Sequence, residues 1–339
     1  MTSTLRADTA FVVHLRSYGF FHSGRERLQN RVLKRVWEHI PGGTLYGATA
    51  AALIRLDGLD ATAPPGEGGG DYHALLRAVT AQRIRFTPLL PVAEGTALTS
   101  AQAYCEQALR LHAALYADAE ATPGDSEQQL LHTTPHAPQN RHHEQIHEDQ
   151  LFVLRTHRPR LDYYGFVFAT REEEALLRRA FRLFPFMPVG GRGKFSLVEG
   201  EIAAQYPLTQ FTTALETWVV GRAWVRLLTP QVLQGAELEP TGDGREWVTP
   251  GLRRYRVWRT GWYYDAQQED FGAPWGAGRG DEQDPDAFLA GGQESDSVLA
   301  LPERSRFTLK AEDTPATWFV AGIGNPSWTY LGWGQVVFE

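Results

Sequence analysis

Two glycine-rich stretches at matching places most restrict what this chain can become. The first, "FMPVGGRGKFSLVEGEI", covers 186–202, and the second, "GIGNPSWTYLGWGQVVF", covers 322–338. Each follows a predicted helix or strand and runs into a strand, so each closes one half of the chain. The pattern reads as a degenerate internal duplication with a boundary near 203–212. It divides the chain into 1–205, holding the glycine loop 190–193, and 206–339, holding an acidic insertion at 265–298.

Nucleotide motifs do not fit the first stretch. A dinucleotide loop needs G-x-G-x-x-G between a strand and a helix. Here Gly191 and Gly193 are followed by Ser196, and the loop enters a strand. A P-loop needs Ser or Thr after Gly-Lys, and Lys194 is followed by Phe195. What remains is physical. Glycines let backbone N–H groups approach an anion, and Arg192 and Lys194 add positive charge. The plainer alternative is a hairpin-like connection with ordinary surface cations.

Elements follow from pattern. Residues 11–21 alternate as a strand, and 83–92 form a strand closed by prolines. Pro41-Gly42-Gly43 makes a turn, Thr44 caps, and an Ala/Leu helix runs to 56. An amphipathic helix occupies 99–117, capped by Thr99 or Ser100. Thr170 and Glu173 have capping-box spacing, which starts a helix over 170–184. Strands are expected at 217–228, at "SRFTLKA" and at "TWFVAGIG". Residues 25–40 have helical spacing but can also extend, and 135–150 form a polar loop.

The totals exclude several classes. The 339 residues contain one cysteine, Cys105, which rules out an internal disulfide and a Cys-based zinc site. No apolar run reaches the roughly 20 residues that span a bilayer, and the N-terminus does not read as a signal peptide. A soluble cytoplasmic protein without membrane contact is the expectation. Net charge is −7, but the charges are unevenly placed. Arg16, Arg25, Arg27, Arg31, Lys34 and Arg35 face a single acid, Glu26, and four arginines lie within 253–259. Lysine occurs only at Lys34, Lys194 and Lys310, and arginine is the better fork for phosphates.

Four features in one order resemble the RAMP superfamily of CRISPR-associated proteins. "IPGGTLYGATAAAL" (40–53) is similar to I-P-G-S-T-L-K-G-A-L-R, and "RIRFTPLLPV" to the R-F-S-x-x-x-P strand that follows it. "NRHHEQIHEDQLFVLRTHRPRLDYYGFVFA" (140–169) resembles the loop-then-strand passage of that domain. "FPFMPVGGRGKFSLVEGEI" resembles the signature loop I-G-G-[KR]-x-S-x-G-F-G, without its closing glycines, and the C-terminal stretch resembles a second copy. The resemblance favours extended structure and loop over 25–40.

This resemblance implies an α+β chain of two ferredoxin-like (RRM-like) RAMP domains. Antiparallel sheets carry helices on one face, with glycine-rich loops and long insertions. Two-domain members of this layout cap the 5′ handle of the crRNA in type III effector complexes. They contact the large polymerase-like subunit and the backbone RAMP subunits, meet target RNA only indirectly, and use no cofactor. The candidate RNA contacts are His22, Ser23, Arg25, Arg27, Arg31, Gly190, Gly191, Arg192, Gly193, Lys194, Arg253, Arg256, Trp262, Gly322, Gly324, Asn325 and Trp328. Tyr18, Trp262 and Trp328 offer stacking faces.

Three other readings compete. A metal-independent endoribonuclease would use His14, His22 or His39 as acid or base. His142, His143 and His147 invite a metal, since two of them are four residues apart. Their loop context favours a polar surface with no metal. A tryptophan-rich carbohydrate-binding protein is the third reading.

Overall fold

The computed structural model describes residues 5–21, 33–34, 37–57, 70–116, 131–136, 152–183, 187–191, 194–232, 245–249, 251–258, 263–265, 270–272, 294–324 and 329–339. The first half contributes β1 (Thr9–Ser17), β2 (Leu33–Lys34), α1 (Gly42–Asp57), α2 (Asp71–Thr80), β3 (Ile84–Phe86), β4 (Leu90–Val92), α3 (Ala101–Tyr116), β5 (Leu131–His136), β6 (Phe152–His157), β7 (Asp162–Ala169), α4 (Glu174–Phe181), β8 (Met187–Gly191) and β9 (Lys194–Pro207). The second contributes α5 (Leu208–Val219), β10 (Trp224–Leu227), β11 (Gln231–Val232), β12 (Trp247–Val248), β13 (Arg253–Trp258), β14 (Tyr263–Asp265), β15 (Asp270–Gly272), β16 (Glu294–Leu301), β17 (Arg306–Thr308), α6 (Pro315–Ala321) and β18 (Val336–Phe338).

The largest sheet runs β3–β7–β1–β9–β8, with β4 also on β7. Count β3 and β4 as one strand and leave out β8. The order by appearance is then second, third, first, fourth. The sheet β12–β17–β10–β18 repeats that order. In each sheet a helix, α4 or α6, lies between the third and fourth strands. α1 and α2 lie between the first and second strands of the larger sheet. Among the described residues no helix lies between β10 and β12. Smaller sheets are β2–β6–β5, β11–β16–β13 and β14–β15, and among the described residues only β2–β6 is parallel.

Strand alternation distributes β1 between two cores. Phe11, Val13 and Leu15 pack with Leu45 and Leu53 of α1, Leu75 of α2 and Leu177 of α4. Ala10 and Val12 face the other way. They join Tyr104 and Ala108 of α3, Phe211 and Leu215 of α5, and Val225, Phe307, Phe319 and Phe338 from the second sheet and α6. Helices therefore cover both faces of the larger sheet, which corrects the expectation of helices on one face.

Local chemistry explains most boundaries. Ser100 Oγ accepts from the Ala103 N–H at 3.2 Å and caps α3 as expected. The turn expected at Pro41 is the first turn of α1: the Pro41 carbonyl accepts from Thr44 and Leu45 N–H at 2.9 and 3.2 Å, so the two glycines open the helix and Thr44 lies inside it instead of capping it. Thr170 and Glu173 meet side chain to side chain, and a 3₁₀ turn over Arg171–Glu173 precedes α4. Residues 208–219 are helical, so the strand expected over 217–228 is present only as β10, from Trp224 to Leu227. Phe211, Leu215 and Val219 recur at helical spacing and are buried. "TWFVAGIG" is also no strand: Pro315 opens α6, and Gly322, at φ +75°, ends it.

Candidate nucleic-acid interface

The first glycine stretch forms the tip of the β8–β9 hairpin at the edge of the larger sheet. Gly190 pairs with Phe195 and Gly191 with Lys194. The expected order was helix, loop, strand, and the structure inserts β8 between α4 and the turn. Gly190 and Gly191 thus lie in strand register, and Arg192 and Gly193, between the two strands in sequence, lie outside the described residues. His22, Ser23, Arg25, Arg27, Arg31, Trp262, Asn325, Trp328, His142, His143 and His147 also lie outside them. Arg253 and Arg256 lie on β13, opposite Ala300 and Ser297 of β16, and Arg253 is exposed.

The second glycine stretch faces inward. Gly322 is buried, and a Cβ there would lie 2.8 Å from Arg85 Nη2. A Cβ on Gly324, at φ +104°, would lie 2.6 Å from the Val232 carbonyl oxygen. Gly332, at φ +81°, would bring one to 2.8 Å from Phe86 O. Positive φ and close neighbouring atoms account for glycine at these positions.

Gly322 lies against Arg85, the arginine of the "RF" strand. Arg85 is buried at 1% exposure. Nε donates to Thr329 O at 2.9 Å, and Nη1 to Phe319 O and Val320 O at 3.0 and 2.8 Å. Nη2 donates to Gln335 Oε1 at 2.8 Å. The two carbonyls come from the last turn of α6, where the helix dipole favours a cation. Burial pulls the guanidinium down to a pKa of about 9. In the sequence this arginine stands out only as part of the "RF" motif, because its partners lie more than 230 residues away.

The candidate histidines sit on different elements. His14, on β1, is held by Asp162 at 2.9 Å through Nε2 and by Glu201 at 3.1 Å through Nδ1. Its ring stacks on Tyr164 with centroids 4.6 Å apart. Both ring nitrogens thus lie within hydrogen-bond reach of a carboxylate. His39 is buried before α1, its ring 5.3 Å from that of Trp37. Tyr18 is 52% exposed, and its hydroxyl donates to Glu199. Among the described residues no three His, Cys, Asp or Glu side chains come together as a metal site, and no helix is long and apolar enough to cross a membrane.

No protein-family model and no curated protein matches the chain. Solved structures do. The chain is similar to one in the cryo-EM structure of the type III-B Cmr-beta complex bound to cognate target RNA. That match has a TM-score of 0.44 and 10% identity, over 88% of this chain and 86% of that one. Its structural neighbours include chains of type III CRISPR complexes. A chain of the Csm3–Csm4 subcomplex of the type III-A interference complex matches with a TM-score of 0.42 and 12% identity, over 88% of this chain and 93% of that one. A chain of a type IV-B CRISPR complex matches with a TM-score of 0.32 and 14% identity, over 57% and 90%.

Proposed function

We propose that this chain is a non-catalytic RNA-binding subunit of a type III CRISPR ribonucleoprotein in the cytoplasm. It grips the 5′ repeat-derived handle of the crRNA and joins the large polymerase-like subunit to the backbone RAMP subunits. Target RNA is reached only through the crRNA. The observation that carries this reading is the strand order shared by the two sheets. That order is the one a βαββαβ ferredoxin-like unit produces, and its repetition supports two RAMP domains, 1–205 and 206–339. Among the described residues, the second copy shows no helix after its first strand and has additional strands between its second and third.

The grip falls to the β8–β9 hairpin tip, with Arg192 and Lys194 as cations, and to Arg25, Arg27 and Arg31. These contacts meet phosphates and carry no sequence information. The test is RNA affinity of the Arg192→Ala/Lys194→Ala variant at several salt concentrations. Each phosphate contact to a single strand contributes a slope of about −0.7 in log K against log salt. Losing two flattens the slope by about 1.4. Unchanged affinity and slope would remove the hairpin from the interface.

A further inference from the structure

The face of β1 that carries Ala10 and Val12 into the core emerges at its far end. Beyond the His14–Tyr164 stack, register places Asp162, Arg16 and Glu199 in one row. Arg16 lies 4.0 Å from Asp162 and 3.7 Å from Glu94. Exposure rises outward: Asp162 is 10% exposed, Glu201 64% and Glu94 89%.

Aromatic side chains on the central strands of such a sheet make a platform for single-stranded RNA when cations flank them. Here the four carboxylates Glu94, Asp162, Glu199 and Glu201 outnumber Arg16 and the exposed Arg158 and Arg160, whose backbones bond to Ser17. Tyr18 is bonded to Glu199, His14 to Asp162 and Glu201, and an incoming phosphate would meet more negative than positive charge. The same groups suit a guanidinium. It stacks on an aromatic face and forks onto a carboxylate. Glu199 and Glu201 stand two residues apart on β9, about 6.7 Å along the strand. That is the spacing of alternate side chains on an extended segment.

We propose that this open end of the larger sheet docks an extended segment of a partner protein carrying arginines at alternate positions. Tyr18 supplies the stacking face, and Glu199 and Glu201 receive the guanidinium groups. RNA is excluded from this face, so the proposal stands whether or not the hairpin tip grips RNA.

The test uses the full chain and a fluorescein-labelled peptide, GSGRSRSGS, read by anisotropy. Glu199→Gln/Glu201→Gln should weaken binding at least tenfold, and Tyr18→Ala severalfold, with both variants keeping the wild-type thermal melt. The peptide GSGKSKSGS should bind at least fivefold more weakly than its arginine counterpart. Affinity of the Gln variant for a 12-nucleotide single-stranded RNA (about one site) should stay at the wild-type value. Equal binding of the two peptides would reduce the effect to diffuse charge and overturn the proposal. So would unchanged binding by the Gln variant, or displacement of the peptide by the RNA.

Discussion

Arg85 and Gln335 are 250 residues apart in sequence and bonded at 2.8 Å, guanidinium Nη2 to amide Oε1. The amide is oriented in turn, because Gln335 Nε2 donates to Phe319 O at 3.2 Å and Val336 O at 3.3 Å. Arg85→Met would leave several buried carbonyls without a donor. Net of the relieved burial of a charge, the expected loss is about 3 kcal/mol. Arg85→Lys, a charge without the fork, should recover only part of it. Urea midpoints at constant m-value measure both.

Gly322 and Gly221 both have positive φ, +75° and +86°, but only the first is crowded. Gly221→Ala meets open space and should cost about 1 kcal/mol of backbone strain. Gly322→Ala adds a clash with Arg85 and should cost at least about 1 kcal/mol more. Paired denaturation curves read the difference. Equal losses would mean that the loop shifts at no cost.

Thr87 fills the break between β3 and β4. Its Oγ accepts from Phe166 N–H at 2.8 Å, while its own N–H donates to Phe166 O at 2.9 Å. Thr87→Val keeps the shape and removes the acceptor, leaving a buried N–H unpaired at a cost of about 1–3 kcal/mol. Thr87→Ser should lose clearly less. Comparing the unfolding free energies of the two variants separates the hydroxyl from the methyl.

His112, on α3, is buried, and burial pulls its pKa from 6.5 down to about 3. The unfolded chain takes up this proton first as pH falls. The contribution is therefore fully present above 6.5 and lost progressively as pH drops toward about 3. Between 6.5 and about 4.5 the loss amounts to about 2–3 kcal/mol. His112→Leu should flatten the stability profile over that interval, whatever it does to the plateau. Urea titrations at four or five pH values resolve the slope.

Local chemistry was legible in the sequence, and distant pairing was not. The cap at Ser100, the strand that became β1 and the prolines around β4 are visible within a few residues. α5 was missed because Trp218 and Val219 suggest a strand, and only the spacing back to Phe211 shows the helix. α6 was missed for the same reason at Trp318, Phe319 and Val320. The second glycine stretch looked like the first, but its glycines are set by Arg85 and by carbonyls from elsewhere in the chain. His14 was noticed, yet its carboxylate partners lie 148 and 187 residues away, so its setting could not be read.

The second core draws on both sides of residue 205, with Phe166 and Phe319 only 6.1 Å apart between ring centroids. Cutting the chain there would not yield two smaller proteins. Each fragment would carry raw aromatic surface that only the other can cover. Any strategy that expresses, tags or exchanges one half alone must reckon with that shared seam. Counting sheets overstates how many pieces of this molecule can be handled separately.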